Sequence, residues 1–534
     1  MMLFLLVGIL LALIHQSQSI SIGIDLGTSN SCVAVVRDNG KCEMVSMHQD
    51  GSCNLPSVCA VVGQADDSIH AQVKYFNEKE EEAGVLVTGW KRALGLDAKS
   101  ASWRLSKREA AGLGLDDGAY GLVALCPPGT NLRVQPQSCT ECVLKELILR
   151  TEKSLGERVD KAVIGVPASY LPAQRAAVER AAINIGINKV RLANEPELAA
   201  HAYGHALEQN TNEANVLVFD LGGGTLDVSI VAVGGATRTM EVIATAGDPC
   251  LGGIDFTRAL AFHLRLSSFE NNALSKLLDA RQQNSNAFNQ AEIAKIALAY
   301  QDQIEIDTDL IATRHDLEIA SEAQLRQAAA CVRRAAIIAG ANLVGDIAAF
   351  PDDDSSLRRG KKKKSKKNQF NDNLREIRQR LPKGQVLRRF PSAANARTIN
   401  DVILVGAATR MPCIPRMLSH LTGISVAIRP DIDPEYAVAK GAAIRAAMND
   451  QRLEDFVVFD AWQAQVLRHF TKKEAAKRLS SSQDNSSSLT ARHKRLKKVI
   501  VRAPDGKRET ITVEEDDDHS FDLLMIQEDE EATT

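Results

Sequence analysis

Two short stretches of the chain set carboxylates beside glycine and hydroxyl residues in the same order. The first is Asp25, Gly27, Thr28 and Ser29; the second is Asp220, Gly222, Gly223, Gly224, Thr225 and Asp227. Glycine has no side chain to hold a ligand away, so turns of this kind let backbone N–H groups approach phosphate oxygens closely. The hydroxyls of Thr28, Ser29 and Thr225 can donate to the same oxygens. The carboxylates of Asp25, Asp220 and Asp227 suit a hydrated Mg²⁺, a hard cation that takes oxygen ligands and keeps much of its water. Either stretch alone is a weak signal, but the two together describe a site for a nucleotide with its magnesium. The sequence contains no G-x-x-x-x-G-K-[ST] run, so a P-loop is excluded as the phosphate cradle.

Each stretch lies between apolar runs that must position it. ISIGIDLGTSNSCVAVV, from Ile20, reads as a strand, a tight polar turn from Asp25 to Ser31 and a second strand. VLVFDLGGGTLDVSIVAV, Val216 to Val233, repeats that design. A repeat at such wide separation implies two similar lobes, each presenting a glycine-containing turn to a shared cleft. Between the hairpins, Lys161 to Pro167 reads as a buried strand, and Pro172 to Gly186 as a helix opened by proline and closed by glycine. The segment from Val190 begins as a strand and becomes a helix after Pro196. Ala291 to Asp307 reads as helix then strand, and Asp401 to Leu418 as strand, turn and helix. This alternation indicates an α/β architecture.

Length and composition agree with a folded chain of two or more lobes: 534 residues, 45% hydrophobic and 25% charged. A net charge of -3 speaks against general nucleic-acid binding. The apolar run from Leu3 to Ile14, followed by the small residues Ser17 and Ser19, reads as a secretory signal peptide over residues 1–19, although no positive charge precedes it. The other reading is a buried apolar N-terminal segment; the run is short for a membrane anchor. Ten cysteines are spread along the chain, with one C-x-x-C at Cys139 and Cys142 and no second pair to complete a zinc site. In an oxidising compartment, that motif is the first place to look for a disulfide.

Two regions break the α/β pattern. From about residue 350 to 397 the chain is polar and charged, with Asp352 to Asp354 followed by RRGKKKKSKK, a composition expected of a disordered insertion. Its basic run reads either as a nuclear signal or anionic-partner patch or as a solvated loop. Beyond about residue 450 come an amphipathic stretch, the sequon Asn485-Ser486-Ser487, a hairpin-like KKVIVRAPDGKRETITVE and an acidic end.

Taken in order, IGIDLGTSNSCVAVV, VIGVPASYLPAQR, NEPELAAHAYG, VFDLGGGTLDVSI, AGDPCLGGIDF and ILVGAATRMP resemble the heat shock protein 70 chaperone family from about Ile20 to Asn449, apart from the insertion. The glycine hairpins are shared with actin and sugar kinases, whereas NEP followed by AYG and the VPA–QR segment are specific to the chaperones. The resemblance implies an actin-like ATPase fold, with a mixed sheet and flanking helices in each lobe and ATP or ADP with Mg²⁺ in the cleft. It implies domain 20–450, with lobe I about 20–213 plus 430–450 and lobe II about 214–429. Residues 451–534 would form a linker-like segment, echoed by Asp455 to Ala461, and an acidic tail without a full peptide-binding domain. By layout the chain resembles the microsomal chaperone-related proteins built of an ATPase core with a hydrophilic insertion.

Residue by residue, the resemblance implies that Lys91 positions the attacking water and that Glu195 lies beside that water and Mg²⁺. Asp220 and Thr225 complete the catalytic set, and Asp25 and Asp227 the metal set. Glu292, Lys295, Gly406 and Arg410 join the glycine turns in holding the nucleotide. Pro167 and Arg175 correspond to a proline switch and the arginine that relays nucleotide state. On the base side the chain departs from the family: Ile296 replaces a basic residue, Ala299 a serine, and Ala407 and Ala408 a glycine and a serine. Weaker adenine binding is therefore expected. The implied activity is ATP hydrolysis in protein folding or quality control under stress, in the endoplasmic reticulum lumen, or in nucleus or cytosol if the leader is not functional. Implied partners are unfolded proteins, a J-domain protein and a nucleotide-exchange factor, with neither nucleic acid nor a stable membrane anchor. Two other classes remain: a non-catalytic nucleotide-binding regulator or co-chaperone, and a kinase of the actin-like superfamily. The leader reading has a direct check: N-terminal mass spectrometry of the protein from secretory compartments should find chains that begin at Ile20, and an intact Met1 or Met2 would refute cleavage.

Overall fold

The computed structural model describes residues 19–62, 72–75, 85–97, 100, 115–117, 123–125, 133–206, 214–234, 239–269, 280–307, 310–345, 397–430, 433–450, 452–453, 495–502 and 508–515. The apolar leader, almost all of the charged insertion, the 455–461 stretch, the sequon and the acidic end lie outside the described residues.

The first half is organised on one mixed sheet. Strands β1 (Ser19–Asp25) and β2 (Asn30–Val36) form the first expected hairpin, with Asp25 opposite Cys32. Strands β3 (Cys42–Met44) and β4 (Leu55–Pro56) extend it on the β2 side. A smaller antiparallel sheet follows, made of β5 (Cys59–Val62), β6 (Gln72–Tyr75) and β7 (Val85–Val87), in the order β6-β5-β7. A 3₁₀ turn at Trp90–Ala93 comes next, then the paired strands β8 (Leu115–Asp117) and β9 (Val123–Leu125). The chain continues as helix α1 (Pro136–Leu155), β10 (Arg158–Val166), α2 (Pro172–Asn184), β11 (Lys189–Asn194) and α3 (Glu195–Ala206). Because β10 and β11 join β1 in parallel, the order is β11-β10-β1-β2-β3. Residues 20–24 of β1 are buried without alternation, as a strand covered on both faces requires.

The helix signals in the sequence were close to the observed ends. Proline opens α1 and α2, where its missing N–H leaves no helical bond unmade. Helix α2 ends at Asn184, two residues before Gly186, which adopts φ +99°. Helix α3 starts at Glu195, two residues earlier than expected, so Pro196 sits in its first turn and the Glu195 side chain projects from the helix start.

The second half repeats the plan. Strands β12 (Ala214–Leu221), β13 (Leu226–Gly234) and β14 (Thr239–Asp248) form an antiparallel meander. Helices α4 (Gly253–Phe269) and α5 (Ala280–Ala297) follow, then the hairpin β15 (Gln303–Asp307) and β16 (Leu310–Thr313) and helices α6 (Arg314–Ala320) and α7 (Glu322–Ala339). Strand β17 (Asp401–Val405) returns parallel to β12, giving the order β14-β13-β12-β17. After it come a 3₁₀ turn at Ala407–Arg410, α8 (Cys413–Thr422) and α9 (Ala437–Asn449). The alanines of α9 let it lie close against β1, β2 and α3, so the chain's late helix closes the first sheet. Separate apolar cores, around Trp90 and around Phe219 and Phe256, lie on the two sheets. Val457–Thr534 forms a unit of its own, in which β18 (Arg495–Arg502) pairs antiparallel with β19 (Arg508–Glu515), the hairpin expected there.

The insertion's flanks meet. Arg397 N–H donates to Gly340 O at 2.9 Å, and Asn342 N–H donates to Arg397 O at 3.2 Å, so the chain returns beside the end of α7. Loop-closure free energy varies only slowly with length. Deleting residues 352–389 should therefore shift stability by less than about 1 kcal/mol. Circular dichroism melting of the deleted protein checks this; an unfolded product would show that the segment supplies core.

Candidate functional site

The parallel strands of both sheets end at one cleft of about 830 Å³. Asp25 ends β1 and aligns with Gly165 of β10, and Asn194 ends β11 immediately before Glu195. In the other sheet Asp220 is level with Val405, which precedes Gly406. Open α/β sheets place ligands beyond such carboxyl ends. Asp25, Gly27, Thr28, Ser29, Lys91, Glu195, Asp220, Gly222, Gly223, Thr225, Glu292, Lys295, Gly406 and Arg410 all line the cleft. Of the residues expected to hold the phosphates or the metal, two do not line it. Asp227 is buried beside Asp220, its partner across the hairpin, and Gly224 packs under the first turn.

The two glycine turns abut. A Cβ on Gly223 would come within 2.1 Å of Ser29 Oγ, and one on Gly224 within 2.7 Å of Thr28 Cγ2. Any larger residue would push the turns apart, so glycine here sets the distance between lobes. Gly222 N–H donates to Thr225 O at 3.0 Å, and Gly222 O and Gly223 O accept from the N–H groups of Gly253 and Ile254, both at 2.9 Å. Arg92, the neighbour of Lys91, adds a cross-brace: its Nε donates to Gly224 O at 2.9 Å, and its guanidinium pairs with Asp255 at 2.6 Å. Sequence reading passed over Arg92 and Asp255, because an arginine beside a lysine looks like surface charge.

Beneath the turns sits a cluster of buried charge. Lys91, 4% exposed, donates to Leu26 O and to Glu195 Oε1 at 3.2 Å, and its ammonium lies 5.8 Å from the Tyr170 ring centre. Burial alone would lower the Lys91 pKa, but Glu195, Tyr170 and Asp25 hold it above the ordinary value. The carboxylates are pushed the other way. Burial, then Glu195, raises both Asp25 and Asp227 to about 7, and burial with Glu195, Asp227 and Asp25 holds Asp220 well above the usual range. Neither oxygen of Asp227 has a hydrogen-bond partner of ordinary geometry among the described residues, and the Ser169 backbone N–H is near enough only to temper its pKa.

Such a set invites a cation. Among the described residues no three acidic, histidine or cysteine side chains converge closely enough to bind a metal directly. The carboxylates of Asp25, Glu195 and Asp220 that line the cleft suit a hydrated Mg²⁺ reached through its water shell, which when bound would offset phosphate charge. Arg175 lies beside the cluster and joins Pro167 O at 3.4 Å to Asn194 Oδ1 at 2.5 Å, while Asn194 donates to Glu197 at 2.6 Å. The two positions that the resemblance links in nucleotide sensing are thus in contact, next to Glu195.

The outer part of the cleft is different. On α5, Lys295 donates to Gly253 O at 3.1 Å, Thr257 Oγ1 at 2.8 Å and Glu292 Oε2 at 2.7 Å. Burial lowers its pKa against the pull of Glu292. Ile296 and Tyr300 line the same wall and are 54% and 71% exposed. Arg410 stands on the other lip, paired with Asp433 at 2.7 Å.

The sequence profile of the Hsp70 protein family matches residues 21–330 and 353–528. The chain belongs to the heat shock protein 70 family. Its two-sheet architecture is that family's actin-like ATPase fold. The chaperone protein DnaK of Deinococcus radiodurans is 33% identical over 444 residues, covering 82% of this chain and 62% of that protein. Heat shock 70 kDa protein BIP3 of Oryza sativa subsp. japonica is 31% identical over 444 residues, 82% of this chain and 58% of that one. The chain spans about 60% of the length of the Hsp70 relatives it matches. No helix among the described residues is long and apolar enough to cross a membrane.

If these carboxylates hold a hydrated Mg²⁺, their raised pKa values tie its binding to proton release. With folded pKa values about 7 for Asp25 and Asp227 against an ordinary 3.8, the ligand-free protein keeps protons that the unfolded chain has lost. Stability from these groups therefore falls as the pH rises from about 4 to about 7. Binding of Mg²⁺-nucleotide has the opposite dependence, because the protons must leave. Affinity should weaken by about ten-fold per pH unit for each proton displaced below pH 7. Calorimetric titration of Mg²⁺-ADP at several pH values checks this; a flat profile from about pH 7.5 to about pH 6 would contradict it.

Proposed function

We propose that this chain is an Mg²⁺-dependent ATPase of the Hsp70 type that assists protein folding or quality control. The observation that carries the reading is the abutment of two glycine turns over buried carboxylates, one of them paired with Lys91. The N–H groups and hydroxyls of Gly27 to Ser29 and Gly222 to Thr225 would hold the phosphates. Asp25, Glu195, Asp220 and Asp227 would hold the hydrated cation, and Lys91 with Glu195 would orient the attacking water. Hydrolysis then proceeds by positioning and charge stabilisation, without a covalent intermediate. Glu292, Lys295, Gly406 and Arg410 would frame the nucleoside, with the adenine held less firmly because Ile296 replaces a cation. The domain limits we propose are an actin-like core over 20–450, with the charged insertion inside its second lobe.

The leader and the likeness to a BIP3 protein support a place in the secretory pathway, in the endoplasmic reticulum lumen. J-domain proteins, exchange factors and unfolded chains are the partners expected of such a protein. A second reading, a nucleotide-binding regulator without turnover, is favoured by the exposed apolar wall at Ile296 and Tyr300.

Single-turnover hydrolysis separates these readings. Lys91→Ala and Asp220→Asn should each slow hydrolysis by about 10²–10³-fold. Asp220→Asn removes a charge from an over-negative cluster, so its melting temperature should be unchanged or higher. Wild-type rates in either variant would overturn the mechanism; no turnover in the unmutated protein, with Mg²⁺-nucleotide still bound, would favour the regulator.

A further inference from the structure

Cys139 and Cys142 lie on α1, three residues apart, and their spacing made them the first place to look for a disulfide. The fold adds a third thiol to them. Cys59, the first residue of β5, faces α1: its Sγ donates to Cys139 O at 3.6 Å. On a helix, residues three apart share a face, so that bond sets the Cys59 thiol on the side of α1 that carries Cys142, and the two thiols are close enough to shift each other's pKa. Cys59 and Cys139 are 0% exposed, whereas Cys142 is half-buried at the margin of the same apolar core, so it alone of the three is open to solvent. The three do not converge as a metal set.

We propose that Cys59 and Cys142 are a disulfide-forming pair, closed across the β5–α1 packing by a small disulfide oxidant such as oxidised glutathione. A Cys142 thiolate attacks one glutathione sulfur, forming a mixed disulfide and releasing a glutathione thiolate that takes up a proton. Cys59 Sγ then loses its proton and attacks the Cys142 sulfur, and a second glutathione leaves as thiol. Two protein thiols are oxidised and one glutathione disulfide is reduced to two thiols. Hydrogen bonding to a neighbouring thiol, together with burial, holds both thiols above their ordinary pKa, so thiolate is scarce and exchange on the folded protein is slow. The bond therefore closes most readily while the chain folds. Once formed, it ties the small β6-β5-β7 sheet, which leads through β7 to Trp90 and Lys91, to the helix packed behind them.

This inference is independent of nucleotide chemistry, and its test reads thiols and melting. The full chain is refolded with oxidised glutathione, alkylated in denaturant and weighed intact. Wild type should show two fewer alkylatable cysteines, and digestion with trypsin should link the peptide from Cys42 to Lys74 with that from Val134 to Lys145. Both Cys139 and Cys142 lie on the second peptide, so variants decide the partner. Cys142→Ala and Cys59→Ala should abolish the link, and Cys139→Ala should keep it. The oxidised wild type and oxidised Cys139→Ala should melt higher than their reduced forms, and Cys142→Ala should show no such difference. Cys142 is partly exposed, so its variant remains informative if Cys59→Ala fails to fold. Full alkylation of the wild type, a lasting glutathione adduct in place of the link, or a link that survives Cys142→Ala overturns the proposal.

Discussion

One lysine faces four carboxylates at the meeting point of the two sheets, and this imbalance of buried charge governs the site. Breaking a buried ion pair by removing one partner typically costs about 3–5 kcal/mol, which explains why Lys91 is held by Leu26 O and Glu195 and lies near the Tyr170 ring. Asp220 and Asp227 stand directly opposite across β12 and β13, an arrangement of like charges that destabilises a hairpin unless protons or a cation intervene. Burial and the neighbouring carboxylates raise the pKa of both. A phosphate ligand alone would add negative charge, whereas one that brings a divalent cation relieves it; on the proposed reading, metal and nucleotide are therefore bound as one unit.

That electrostatic arrangement depends on a distance, and the distance is set by glycine. Gly223 and Gly224 let the second turn sit against Ser29 and Thr28 with no room for a Cβ. Arg92 holds the contact by bonding to Gly224 O and Asp255 at once. Strand register does the rest, since Asp25, Asn194 and Asp220 end their strands at the same cleft. Displacing any one of these residues would require a sheet to slip by a whole register step, which would turn its apolar side chains to the wrong face.

Local chemistry was the part legible in sequence. Both hairpins, the proline-opened helix α2 and the strand–turn–helix at Asp401 follow from turn residues and alternation within a few positions, and each begins within two residues of its expected place. Lys91 and Glu195 were reached only through family resemblance, because nothing in the neighbourhood of either shows that they meet across 104 positions. Arg92 and Cys59 were not reached at all. Their partners, Asp255 and the cysteines of α1, lie far away in the chain, and a single sequence carries no sign of such contacts.

The two ends of the cleft differ in how freely their residues can change. On the proposed reading, backbone groups of two hairpins make the phosphate end, so substitutions there disturb sheets and lobe spacing together. On the same reading the base end is made largely of side chains on α5, on the turn that follows it and on the turn after β17, where Lys295 is fixed by Glu292 and Thr257 while Ile296 and Tyr300 are exposed. A residue exposed in this way can be exchanged without cost to the core, since only a ligand would contact it. On the proposed reading, the replacement of a cation by Ile296 with the glycine turns intact is what this asymmetry permits. It allows the affinity for the base to drift in a chain whose phosphate and metal end stays fixed by the fold.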